Sequence, residues 1–268
     1  MHLVALLRRP EDPAAAAQVL IEAAGVTPAE AKMRLAPEPP ALLARLPEGS
    51  AQSVVEALRA AGLLALALDE AVPRDPERTV GRSLAFGPGA LTVTPRAGPP
   101  LEMGWDQVTV ILRAASAVRT TTDVTTTSSK FSPAMAIASG GLKLKAKVEE
   151  TTRTTQSDSE QAIYLYGAGG EAAVLRERAL DFSCLGKALQ PVRLANLTTL
   201  VRMLRERARQ AAYDERLIRL GTRPLPFVLA GETRLATGSV STARMNTAAG
   251  VDVLAEVLRR AYEGGLLP

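Results

Sequence analysis

Histidine and cysteine are nearly missing from this sequence. The 268-residue chain has one of each, His2 and Cys184. Cys/His zinc sites and intramolecular disulfides are excluded by that count. With its one histidine at the extreme N-terminus, the chain is not expected to assemble a Ser-His-Asp or Cys-His nucleophile pair. Aromatic residues make up 3% of the chain, too few for the stacking platforms that bind single-stranded nucleic acid. A large excess of either charge is also lacking: 32 Lys+Arg stand against 28 Asp+Glu, a net charge of +4, which does not point to nucleic acid as a partner. No window approaches about 18 uninterrupted apolar residues, so no transmembrane helix is expected. The apolar N-terminus runs straight into Arg8, Arg9 and Pro10. It has neither the long apolar region nor the cleavage site of a signal peptide and reads as a buried first strand. The lone cysteine fits a reducing compartment, and the expected localisation is cytoplasmic.

What the chain does have is core-forming material: 47% of it is hydrophobic and 22% charged. At roughly 100–200 residues per domain this length predicts about two domains. Residues 1–72 read as β-α-α-β-α-β. A strand at 2–7 is followed by a helix at 13–24, capped by Asp12 and ended by Gly25. Thr27, Pro28 and Glu30 start a second helix. Strands at 41–46 and 63–68 flank a third helix at 50–61, capped by Ser50 and closed by Gly62. Residues 73–79, with Pro73, Arg74, Asp75, Pro76 and Glu77, are polar and proline-bounded and read as an interdomain linker. The pattern then turns to β. Residues 83–86 and 90–95 form a hairpin around Gly87-Pro88-Gly89, and a strand lies within 101–113, where Trp105, Val108, Val110 and Leu112 alternate with polar neighbours.

The stretch Gly25-Val-Thr-Pro-Ala-Glu-Ala-Lys32, then Pro39-Pro-Ala-Leu-Leu43, then 50–62 ending Leu-Arg-Ala-Ala-Gly, resembles the C-terminal domain of bacterial ribosomal protein L7/L12, whose outline the adaptor ClpS shares. The resemblance covers about a quarter of the chain. It implies a small sandwich with three helices on one face of a three-stranded sheet, and the character of a docking module. That family docks through lysine-rich helices, whereas Lys32 is the only lysine among the first 73 residues here, which hold 6 basic and 9 acidic side chains. The run 90–110 resembles the second and third strands of pleckstrin-homology-like and GRAM-like domains, which close with a C-terminal helix. Residues 161–166, the turn 167–170, 172–176 and a helix at 191–212 supply the later parts. The expected class is therefore α+β: an L7/L12-like or ClpS-like sandwich at 1–72, a PH-like β domain at 80–212, and an extension at 213–268 with a final helix at 247–264.

Between those strands the sequence is least ordinary. Thr fills six of the eight positions 120–127, and Thr151, Thr152, Thr154 and Thr155 answer it further on. Because Thr is β-branched, the two arms read as the paired strands of a long hairpin, 118–157. From Leu142 apolar residues alternate with Lys143, Lys145 and Lys147. Three readings stay open: a solvated ribbon that extends the sheet, a docking arm, and a membrane-inserting hairpin. The candidate interaction surface comprises Phe131, Met135, Ile137, Lys143, Lys145 and Lys147 in the hairpin, with Arg202, Arg205 and Arg209 on the arginine-rich helix. Residues 213–220 read as helical, the Asp214-Glu215-Arg216 run as a surface ion-pair cluster, and 231–246 as a loop. The turn at Gly167–Gly170 precedes a strand rather than a helix, so it is a hairpin turn and not a phosphate cradle.

No catalytic residue, cofactor or metal is assigned. The expected function is that of a non-enzymatic cytoplasmic adaptor working by protein-protein contacts with partners of unknown identity, with the hairpin a candidate for homo-oligomer formation. The alternative is a peripheral protein that meets an anionic membrane surface through the basic hairpin and its apolar tip. An enzyme built on buried carboxylates from separate segments is the third reading.

Overall fold

The computed structural model describes residues 1–131, 145–228, 233–237 and 239–268. The fold is mixed α+β, and the chain divides into two compact units. The first holds Met1–Ser116, Ser159–Ala230 and Thr247–Pro268, and the second Ala117–Asp158 and Gly231–Asn246. The boundary drawn in the sequence at 73–79 falls inside the first unit.

The first unit begins with β1 (His2–Leu6), α1 (Pro13–Ala24), α2 (Pro28–Leu35), β2 (Ala41–Leu46), α3 (Glu48–Ala60) and β3 (Ala65–Asp69). Local chemistry sets most of these bounds. The Asp12 carboxylate accepts from the Ala14 and Ala15 amides, and Gly25 ends α1 at φ +66, a backbone conformation that costs glycine little. Thr27 and Glu30 form a reciprocal capping box on α2. α3 starts two residues before the expected position, after Pro47 at the cap, and no side chain caps it. The sheet order is β2-β1-β3, antiparallel throughout.

This small sheet is buried on both faces, which is why β1 is apolar without alternation. Val4, Leu6, Leu43 and Ala65 pack with Leu20, Ala31, Val54 and Leu58 of the three helices. Leu3, Ala5, Leu42 and Leu68 turn the other way, onto Val253, Val257 and Ala261 of the last helix, α6 (Ala248–Glu263).

The larger sheet of this unit is built from β4 (Thr79–Phe86), β5 (Ala90–Pro95), β6 (Leu101–Gly104), β7 (Val108–Phe131), β8 (Lys145–Gly167) and β9 (Ala172–Arg176). Its order is β7-β8-β9-β4-β5-β6, with β10 (Ala212–Asp214) parallel to β7 at residues 110–112. On one face Val108, Ile111, Ile163, Leu165 and Leu175 pack with Leu197, Leu200, Val201 and Leu204 of α4 (Arg193–Arg207). On the other, Val110, Leu112, Tyr164 and Val174 pack with Leu217 and Leu220 of α5 (Leu217–Leu220) and with Val251, Leu254 and Leu258 of α6. α6 is thus shared by two sheets and is buried at every position from 250 to 258.

Several sequence expectations are corrected. The helix foreseen at 191–212 spans Arg193–Arg207, and Leu194 on it is exposed. Residues 213–220 are not a continuous helix but end β10 and form the single turn α5. Residues 231–246 are not a loop: they contain β11 (Thr233–Thr237) and β12 (Val240–Asn246). Asp214 is buried rather than superficial, bonded by Arg216 at 2.6 and 2.8 Å and by the Tyr262 hydroxyl at 2.9 Å.

Trp105 is buried against Phe86, ring centroids 5.8 Å apart, and its indole N–H donates to the Gly87 carbonyl at 3.1 Å. As the sole tryptophan it reports on the α4 face of the large sheet. Its emission is expected to be blue-shifted in the native protein and to move red in one step in urea. Red emission without denaturant would show that this face is not packed as described.

Candidate functional site

The second unit is a four-stranded ribbon in the order β11-β12-β7-β8. β12 runs antiparallel to β7, Val240 opposite Val124 and Arg244 opposite Thr120, and β11 pairs with β12, Leu235 opposite Thr242. The threonine arms meet as the sequence predicts. Thr121 and Thr155 hydroxyls lie 3.5 Å apart and those of Thr125 and Thr151 3.2 Å apart. Between those two rows Arg153 grips Asp123 with two bonds, 2.7 and 3.0 Å. This pair holds the Asp123 carboxyl below the usual carboxylate range.

Side chains project alternately from a strand, so a ribbon has two faces, and here both are wet. Among the described side chains of this unit only Ala117 is buried, and 150–158 are exposed without a break. Val124, Leu235 and Val240 are exposed apolar residues on these strands. β9 pairs with β8 only at 162–166, so among the described residues the far edge of β8 over 145–157 has no neighbouring strand.

Met135, Ile137 and Lys143 lie outside the described residues. Phe131 closes β7, and Lys145 and Lys147 open β8. Of the arginines named on the arginine-rich helix, Arg202 and Arg205 lie on α4 and Arg209 just beyond its end; all three are exposed but engaged. Arg202 bonds Glu206 at 3.0 Å, Arg209 donates to the Glu206 carbonyl at 3.3 Å, and Arg205 lies over the Tyr213 ring at 4.1 Å. Arg207, on the same helix but outside the candidate surface, lies over both Phe86 and Trp105 at 5.1 and 5.5 Å. This face is a set of guanidinium groups held over rings or against Glu206, which lowers the freedom each would lose on meeting an anion.

Sequence reasoning missed a buried polar cluster where α6 meets residues 74–78 and the large sheet. Asp252 accepts from Arg78 at 2.6 Å, Arg74 at 3.2 Å and the Tyr164 hydroxyl at 3.0 Å. Arg176 clasps Asp75 through Nε and Nη2, at 2.7 to 3.0 Å. One turn along α6, Glu256 is bonded by Arg259 and Arg260 at 2.6 to 2.8 Å. A cavity of about 170 Å³ lies among Arg78, Tyr166, Asp252, Glu256 and Arg259. Burial pushes the Tyr164 and Tyr166 hydroxyls up, so both stay protonated. The 73–79 segment is therefore pinned, and five arginines converge on three carboxylates. A signal for it was present in the acids Asp252 and Glu256, spaced one turn apart within the otherwise apolar stretch 248–258 of the helix.

Burial works against the charge of Glu256, yet the bonds from Arg259 and Arg260 outweigh it and its pKa is lowered. A carboxyl whose folded value lies below its unfolded value stabilises the fold above the unfolded value, and that stability is lost as pH falls through the folded one. Glu256→Gln is expected to be less stable than the parent at pH 7 and to converge on it in acid, once the pH has fallen through the lowered pKa of Glu256, measured by urea midpoints across pH. Parallel midpoint curves would remove Glu256 from the acid limb.

Comparison with protein-family models, with curated proteins and with solved structures finds no match to this chain.

Proposed function

We propose that the protein is a non-enzymatic cytoplasmic adaptor that works by protein-protein contacts, with the threonine-rich ribbon as its docking element. On this reading residues 1–72 are an L7/L12-like or ClpS-like sandwich and 80–212 a PH-like domain, both serving as scaffold. The carrying observation is the contrast between the two units: one has packed faces on both sheets, and the other is a four-stranded sheet with no buried side chain beyond Ala117 among those described. A sheet without an apolar face gains little from its own packing, so surface of this kind is explained by what binds it.

The test is affinity capture with full-length protein beside a variant in which 120–155 is replaced by a short glycine turn, with Trp105 emission confirming that the first unit stays folded. A soluble protein cross-linked to ribbon residues and lost with the deletion supports the reading. Recovery only with anionic membranes, through the ribbon or Arg202, Arg205 and Arg209, would replace it with peripheral membrane association. Equal capture by both forms would move the docking surface off the ribbon.

A further inference from the structure

We propose that the open edge of β8 over 145–157 pairs antiparallel with the same edge of a second copy, in the register that sets Thr151 opposite its own equivalent. The inference rests on the reading of the ribbon as a docking element and names its occupant. An unpaired strand edge presents a row of N–H and C=O groups ready for another strand. Here that row is thirteen residues long, contains no proline, and belongs to a strand whose other edge is held by β7.

The register follows from charge. Two copies related by a two-fold axis normal to the sheet keep the same faces up, so residues that oppose each other must share parity. Centring on Thr151 sets Glu149 opposite Arg153, Glu150 opposite Thr152, Lys147 opposite Thr155 and Lys145 opposite Ser157, and no like charges meet. Centring one residue earlier opposes Glu150 to itself and Lys147 to Arg153. Moving two residues later opposes Arg153 to itself. Centring on Thr152 pairs each of these charges with Thr or Ser and gains nothing.

The chosen register also continues the rows already present within one copy. The Asp123–Arg153 pair becomes a row of acid, base, acid, with Glu149 of the second copy completing it. The Thr125–Thr151 row becomes four threonines across. The two-fold uses up the β8 edge of both copies, so pairing through this edge stops at a dimer.

Sedimentation of the full chain from about 1 to about 100 µM is expected to show a monomer-dimer equilibrium. Glu149→Arg and Arg153→Glu each place like charges opposite one another twice, and each is expected to weaken the dimer on the order of tenfold or more. An equimolar mixture of the two variants restores opposite charges at both positions and is expected to dimerise again, which a misfolded ribbon would not do. The proposal is overturned by a wild-type protein that stays monomeric throughout, by a dimer indifferent to both variants, or by a mixture that fails to recover. A monomeric wild type that still captures another protein through the ribbon would overturn self-pairing alone and leave the adaptor reading standing.

Discussion

Asp252→Ala is expected to destabilise the protein by about 3–5 kcal/mol, because it removes the common acceptor of three donors, two of them buried, Arg78 and Tyr164. Asp252 is 6% exposed and the side chain of Arg78, its closest partner, 2%. Without the carboxylate, Arg78 keeps the 3.5 Å approach to Asp75 and its place over the Tyr164 ring, and the Tyr164 hydroxyl loses the acceptor it bonds. Arg78 begins from a poor position, since its Nε is already buried without a partner. The orphaned hydroxyl adds a penalty of about 1–3 kcal/mol that overlaps the first rather than summing with it. In a unit of this size the loss corresponds to a fall in Tm of roughly 10 °C, read by Trp105 emission or calorimetry. Asp252→Asn, which keeps an acceptor of the same shape, should lose less. The combination Asp252→Leu, Arg78→Met, Tyr164→Phe should be better tolerated than Asp252→Ala alone, because it removes charges and partners together. A loss below 1 kcal/mol for Asp252→Ala would mean that water reaches the cluster and that it does not hold the seam.

The size of that effect follows from where the cluster sits. α6 gives Val253 and Val257 to the small sheet and Val251, Leu254 and Leu258 to the large one. Asp252 and Glu256 lie between those two apolar faces. The arginines that reach them come from residues 74 and 78 before the large sheet and from the end of α6 itself. An apolar seam alone would allow α6 to rotate between two greasy faces. Three donors aimed at one carboxylate fix a single rotation, and a fixed rotation holds both sheets in register with the helix.

How much of this could be read in advance depended on whether a signal was local. The Asp12 cap, the Thr27/Glu30 box and the glycine after α1 are fixed by neighbours within four residues, and those bounds were legible. The threonine arms were legible too, since β-branching favours strands wherever the chain lies. β11 and β12 were not. Their residues show no sustained apolar alternation, and the strand state is supplied by the ladder to β7, a pairing across more than a hundred residues. β10 is three residues held by β7 in the same way. Asp214 misled for a related reason: the bond from Arg216 is local, but the Tyr262 hydroxyl reaches it only once α6 is in place. In the ribbon the register of Asp123 with Arg153 is a tertiary fact, although both residues could be named beforehand.

Gly221→Ala is expected to cost about 3 kcal/mol, and here the glycine is needed for room rather than for backbone freedom. Its φ is −67°, open to any residue. A Cβ placed there, however, would run into the carbonyl oxygen of Ala115 on β7. It would also come within 2.7 Å of both the Leu217 carbonyl oxygen and Val251 Cγ2 on α6. Two of these three obstacles are backbone, which cannot swing aside as the end of a side chain can, so strain spreads into the ladder and the helix. Gly49→Ala, on α3, meets nothing within 4 Å and should instead gain up to about 1 kcal/mol by stiffening the unfolded chain. Measuring both variants by urea unfolding sets one against the other. A drop at 221 with a gain at 49 fits the close approach of β7, α5 and α6. Equal small changes at both would mean that the turn after α5 stands further from β7 than its geometry shows, and the α6 seam would then have slack enough to tolerate the loss of Asp252 as well.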